Sequence, residues 1–161
     1  MARYFVILIS LAFTNTAIAN NSEWEFTKTV DAITDRVSCS VTPSTAQMNK
    51  AIKSSYSYFP LISVDLEKIY LSGITKGTNT FLSLADSDHI LRIDKNDIYE
   101  VFSIIFQRRK EYSLLIKEMI AGNFINVRTT DKIFGTETHA YSLIGFTKEY
   151  TSMKNDKDCA F

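Results

Sequence analysis

Eighteen Lys and Arg residues balance eighteen Asp and Glu residues over 161 positions, so no concentrated cationic footprint is available. Nucleic acid and anionic membrane surfaces both demand such a footprint and are poor partners for this chain. With 22% charged and 12% aromatic residues, the composition is that of a folded globular chain, not a disordered one.

The chain opens on Met1-Ala2-Arg3, a short basic start, followed by an apolar run from Tyr4 to Phe13. Ala17-Ile18-Ala19 then has the small-x-small form that a signal peptidase cuts. This predicts a secretory signal peptide over residues 1–19 and a mature chain of 142 residues from Asn20, enough for one domain with a core. The apolar run is shorter than the roughly 20 residues a bilayer-spanning helix needs. No later segment approaches that length, and no Cys stands at the cleavage site to take a lipid. The expectation is an exported protein without a membrane span, in the periplasm or at the cell surface.

Glu23 to Val30 reads as a strand, with Trp24, Phe26 and, less cleanly, Lys28 and Val30 on alternating positions. Asp31 to Asp35 carries turn chemistry, since Asp31 and Thr34 offer side-chain oxygens to nearby backbone N–H groups. Val37, Cys39 and Val41 alternate again until Pro43 ends the run, which makes the pair of strands a hairpin. Residues 44–55 are polar and weakly periodic, predicting a loop or one weak helical turn. Tyr56 to Leu66 reads as a strand that Pro60 marks as an edge or a bulge. Strands are expected over Lys68–Ile74, Thr80–Leu84 and Ile90–Ile93, with Lys76-Gly77-Thr78-Asn79 as a turn.

Residues 98–106 pull two ways. Asp97 and Glu100 have capping-box spacing, which favours a helix. The β-branched and aromatic run from Ile98 to Phe106 favours a strand. Arg109 to Ala121 is helical, because Tyr112, Leu115, Ile116 and Met119 recur at helical spacing and Gly122 follows as a natural terminator. Strands follow over 124–127 and 140–146, and the tail from Thr151 is polar. The resulting fold class is mainly β: an antiparallel, sandwich-like domain with one short helix near residues 110–121.

Cys39 and Cys159 lie 120 positions apart. In an oxidising compartment the default for such a pair is a structural disulfide, whereas a redox pair has C-x-x-C spacing. On the chain-entropy model, closing so long a loop contributes on the order of 5 kcal/mol.

No catalytic, metal or cofactor constellation emerges. His89 and His139 are the only histidines, fifty positions apart, with no H-x-x-x-H or C-x-x-C partner for zinc. Asp86, Asp88, Asp94, Asn96 and Asp97 bracket the strand at Arg92, but the EF-hand spacing fails and turns favour these residues anyway. G-x-S-x-G is absent, the glycines are scattered singly, and Arg108-Arg109-Lys110 reads as a solvated face.

Four segments resemble the invasion-associated locus B family of exported bacterial proteins and its small relatives. Trp24, followed by Asp31-Ala32-Ile33-Thr34-Asp35 and Ser38-Cys39, is similar to a W…D-x-x-T-D…S-C opening. Leu91-Arg92-Ile93-Asp94 resembles a central R-x-D strand, and Leu114 to Asn123 a short helix ending in Gly122. Ser142-Leu143-Ile144-Gly145-Phe146, followed by Cys159, resembles an S-L-x-G-F…C ending. The resemblance implies a compact, disulfide-held β-rich domain with one helix, and it brings no catalytic residues. Within it, Arg92 and Asp94 are expected to pair with each other or across a strand. Gly122 is expected in a left-handed turn, and Gly145 at a bulge or close contact in the last strand, against Trp24 or Phe146.

The functional expectation is a non-enzymatic interaction module with a protein partner. Tyr56, Tyr58 and Phe59 would form its exposed aromatic patch, or else a buried edge strand. A periplasmic inhibitor, for example of a lysozyme, would present a protruding loop over 42–55 or 129–139. A small hydrolase would hold His89 or His139 with a carboxylate in a concave pocket.

Overall fold

The computed structural model describes residues 22–54, 58–75, 81–82, 87–101, 105–106 and 109–159. The expected signal peptide, Tyr56, the 76–79 turn, Asp86 and Arg108 lie outside these. In chain order the elements begin with β1 (Trp24–Val30), β2 (Val37–Pro43), α1 (Thr45–Ser54), β3 (Tyr58–Val64) and β4 (Ile69–Thr75). Next come β5 (Phe81–Leu82), β6 (Asp88–Ile93), β7 (Ile98–Val101), β8 (Ile105–Phe106) and α2 (Arg109–Ala121). The hairpin β9 (Phe124–Asp131) and β10 (Gly135–Ser142) precedes the last helix, α3 (Phe146–Asn155).

One sheet has six strands, ordered β1-β2-β3-β4-β5 with β8 also on β4; the other has four, ordered β10-β9-β6-β7. All strand pairs are antiparallel. The mainly β, sandwich-like reading therefore holds. The described parts of 98–106 are strands, so the β-branched run prevails over the Asp97–Glu100 capping signal.

A single buried cluster joins the sheets. Trp24, Val41, Ile62 and Val64 from the first meet Leu91, Ile93, Ile125, Val127 and Tyr141 from the second, and Leu115, Met119, Phe146 and Met153 from α2 and α3 close its rim. Period-2 burial in β6 and β9 puts His89, Leu91 and Ile93, and Ile125, Val127 and Thr129, on the inner face. β3 is different: it is buried along both faces. Its second face packs Phe59 and Leu61, with Ile74 of β4, against Ala51 and Met48 of α1 in a satellite cluster.

Among the described residues, α1 and α3 join the expected helix, α2. Of residues 44–55, expected as a loop or one weak helical turn, Thr45–Ser54 form the full helix α1, opened by Ser44, whose Oγ accepts from Gln47 N at 3.4 Å. The start of the polar tail, residues 151–155, is the end of α3, whose Phe146, Tyr150 and Met153 recur at helical spacing and turn inward. The last strand ends at Ser142 instead of Phe146.

Pro60 sits where edge logic requires. Asp65 N donates to Lys68 O, so alternation along the β3–β4 ladder directs the main chain of Pro60 away from β4, where no donor is needed. Its carbonyl accepts the buried Tyr141 hydroxyl.

Candidate functional site

Two of the hairpins end in five-residue turns with the same Asp anchor and a left-handed fifth residue, although the return register differs by one: Val30 faces Val37, whereas Thr130 faces Thr136. In Asp31-Ala32-Ile33-Thr34-Asp35, Asp31 Oδ1 accepts from Ile33 N at 2.8 Å and Thr34 N at 2.9 Å, and Asp35 is left-handed at φ 54°. In Asp131-Lys132-Ile133-Phe134-Gly135, Asp131 Oδ1 accepts from Ile133 N at 2.7 Å and Phe134 N at 3.0 Å, and Gly135 is left-handed at φ 81°. An Asp at the first position ties down two amide groups that a tight turn leaves bare. A left-handed fifth residue then feeds the return strand. Each turn lifts one isoleucine into solvent: Ile33 is 93% exposed and Ile133 is 84% exposed.

Both carboxyls titrate below the ordinary value of 3.8. For Asp31 the cause is donation from Ile33 N, then Thr34 N. For Asp131 it is Phe134 N first, then the Ser87 hydroxyl at 2.8 Å and Ile133 N. The second tip has a further brace. Phe134 lies 5.7 Å from the Tyr58 ring, and Tyr58 Oη donates to Thr129 O at 3.0 Å. Burial, reinforced by the charges of Asp131 and Glu137, pushes the Tyr58 hydroxyl up to about 12.

The first hairpin is held from one side. Cys39 of β2 is joined to Cys159, with Cα atoms 5.7 Å apart. On the same face, Lys28 Nζ meets Asp158 Oδ2 at 2.5 Å and Asp156 Oδ1 at 3.0 Å. These contacts hold Lys28 above its usual range, through Asp158 first, and Lys28 in turn holds Asp156 below the usual carboxylate range. Beside the disulfide lies a cavity of about 310 Å³, lined by residues of β2, the Asp65–Lys68 turn, Tyr70 and Cys159.

The other predicted residues are structural. Tyr58 and Phe59 are fully buried and cannot form an exposed patch, which corrects that expectation; both faces of β3 are covered. Arg92 and Asp94 do not pair. Arg92 donates to the carbonyls of Lys95 and Asn96, both at 3.0 Å. Asp94, left-handed at φ 45°, accepts from Asn123 N at 2.9 Å and Phe124 N at 3.0 Å, which lowers its carboxyl. Asp94 thereby stitches the β6–β7 turn to the start of β9.

Gly122 is not left-handed. It is glycine because a Cβ there would lie 2.4 Å from Ile93 Cγ2. Gly145 precedes α3 at φ 86°, and a Cβ would strike Ser22, not Trp24 or Phe146. Trp24 is buried, donates from Nε1 to Ser142 O at 2.6 Å and meets Phe146 edge-on at 5.0 Å.

Neither histidine reaches the cavity. His89 is buried on Thr129 Oγ1 at 3.0 Å, and His139 is half-buried against Tyr141 at 4.6 Å, burial lowering its pKa. No group of three or more His, Cys, Asp or Glu is arranged for a metal ion among the described residues. Among those residues no helix is long and apolar enough to cross a membrane. Of the two inhibitor loops, the described part of the first, residues 42–54, is the end of β2 and α1, whereas 129–139 is the β9–β10 hairpin that carries Ile133.

Sequence reading named Asp31 but missed the paired tips. The signal was present as Asp-x-Ile-x followed by Asp or Gly at 31–35 and 131–135. The chain matches no family model, no curated protein and no solved structure.

Proposed function

We propose that this protein is an exported, non-enzymatic protein-interaction module of the periplasm or cell surface, kin to the invasion-associated locus B proteins. One observation carries the reading: two isoleucines stand almost wholly in water on turns whose backbone is pinned by Asp31 and Asp131. Burying an isoleucine in a partner is worth about 1.5–3 kcal/mol, and a pinned turn loses little conformational freedom on binding. The basic start and Ala17-Ile18-Ala19 support export, and the disulfide suits an oxidising compartment.

A second reading, a periplasmic inhibitor of an enzyme such as a lysozyme, draws on the β9–β10 hairpin. Its tip offers an exposed Ile133 to a concave active site, with Phe134 held against Tyr58 beside it.

The test is retention of periplasmic and host-surface proteins on the immobilised oxidised protein, run beside Ile33→Asp and Ile133→Asp. A partner held by the parent protein and lost by a tip variant of unchanged Tm is the expected result. Identical retention by all three proteins contradicts the reading. A lysozyme inhibition assay with Ile133→Asp separates the inhibitor from the general module.

A further inference from the structure

The cavity beside the disulfide contains a stretch of strand edge that nothing occupies among the described residues. β2 bonds β1 through alternate residues. Asp31 N donates to Arg36 O and Ser44 N to Glu23 O, so the even-numbered residues between them, Ser38, Ser40 and Thr42, direct their main chain at β1. The odd-numbered residues Val37, Cys39 and Val41 must therefore direct theirs at the opposite edge.

Among the described residues only Val41 finds a strand there, pairing with Val64. Immediately afterwards β3 turns away through Asp65–Lys68, a turn fixed by Asp65 Oδ1 accepting from Glu67 N at 2.7 Å and Lys68 N at 2.6 Å. Tyr112 Oη, donating to Asp65 O at 2.6 Å, anchors the same turn to α2. The turn cannot slide along to cover β2. Val37 and Cys39 thus face a cavity of about 310 Å³ with their N–H and C=O groups unpaired by any strand among the described residues.

We propose that this cleft takes an extended segment of another protein, added as a strand to the Val37–Cys39 edge of β2. The proposal is independent of the hairpin tips. An extended peptide is the ligand whose donors and acceptors repeat at the spacing of this edge. The walls define its side chains. By strand alternation Thr29, Ser38 and Ser40 fall on one side of the β1–β2 ribbon and Val37 and Cys39 on the other, and all five line the cleft. A fitting segment therefore alternates hydroxyl-bearing and apolar residues. Glu67 and Lys68 line the cleft with opposite charges, so charge selects little.

The test uses the intact oxidised protein and a fluorescent, end-capped Thr-Val-Thr-Val-Thr peptide, with a backbone N-methylated copy as control. Binding by anisotropy at up to millimolar peptide, with slowed amide exchange at Val37 and Cys39 and no change at Ser38, is expected. N-methylation should weaken binding about tenfold or more, as loss of one or two hydrogen bonds predicts. Val37→Pro should do the same with Tm preserved, because that N–H points away from β1, whereas Ser38→Pro should lower Tm. No binding, equal binding of the N-methylated peptide, or protection at Val37 and Cys39 that depends only on protein concentration overturns the proposal. The last outcome would assign the edge to a second copy of the chain. The N-methylated control decides the matter even if Val37→Pro does not fold.

Discussion

The β1–β2 and β9–β10 hairpins end in turns with the same Asp anchor but are fastened by different means. β9–β10 is held by main chain: β9 lies between β10 and β6, and Tyr58 ties Thr129 and the Phe134 ring to the opposite sheet. β1–β2 occupies a sheet edge and meets β3 at a single pair. Its tip half depends on side-chain clasps to the chain's end, Cys39–Cys159 and Lys28 with Asp156 and Asp158. One Asp anchor thus serves two mountings, one built into a sheet and one dependent on oxidation.

Trp24 is the part the two mountings share, since it belongs to β1, donates to Ser142 O and packs on Phe146. Trp24→Ala should cost about 3–5 kcal/mol and loosen both hairpins together, read as Tm and as amide exchange at both tips. Gly145→Val should cost at least about 1–2 kcal/mol for its left-handed backbone, and more for the contact with Ser22. That loss should be centred on β1 and α3. Tyr58→Phe should cost about 1 kcal/mol and speed exchange at the β9–β10 tip only.

Acid should act on both tips alike. Asp31 and Asp131 have folded values below 3.8, so the stability they contribute is complete above that value. It is lost as pH falls from 3.8 through the folded value. Amides of Ile33, Thr34, Ile133 and Phe134 should accordingly exchange faster, relative to the core, at pH 2.5 than at pH 5, a difference Asp131→Asn abolishes at the second tip alone. The smallest effect on stability is expected for Ile33→Asp and Ile133→Asp, within about 0.5 kcal/mol, because neither side chain is packed. A large loss of Tm in either would mean that the tip is structural instead of presented.

What the sequence disclosed follows from how local each signal is. The β1–β2 hairpin, its Asp31 turn, α2 and the cysteine pair depend on alternation, turn chemistry and helical spacing within short windows, and all are present. α1 was hidden because its stabilising partners are distant. Gln47 of the Ser44-x-x-Gln47 start donates to Glu23 O at 2.6 Å and accepts from Ser142 N at 2.7 Å, contacts no window contains. The burial of Tyr58 and Phe59 depends on α1 and β9 covering opposite faces of β3, which alternation within one strand does not encode. Gly122 shows the same limit, since its glycine requirement comes from Ile93, far back in the chain. The cleft, made where β3 turns away from β2, is a property of register and was not legible at all.

Oxidation is what mounts the β1–β2 hairpin, and β9–β10 stands independently of it. Residue-resolved amide hydrogen exchange on the oxidised and the reduced protein at neutral pH tests this directly. Reduction should strip protection from Thr29, Ser38 and Ser40 while Ile125, Val127 and Thr129 keep theirs. Parallel loss in both hairpins, or no change in either, would contradict the account.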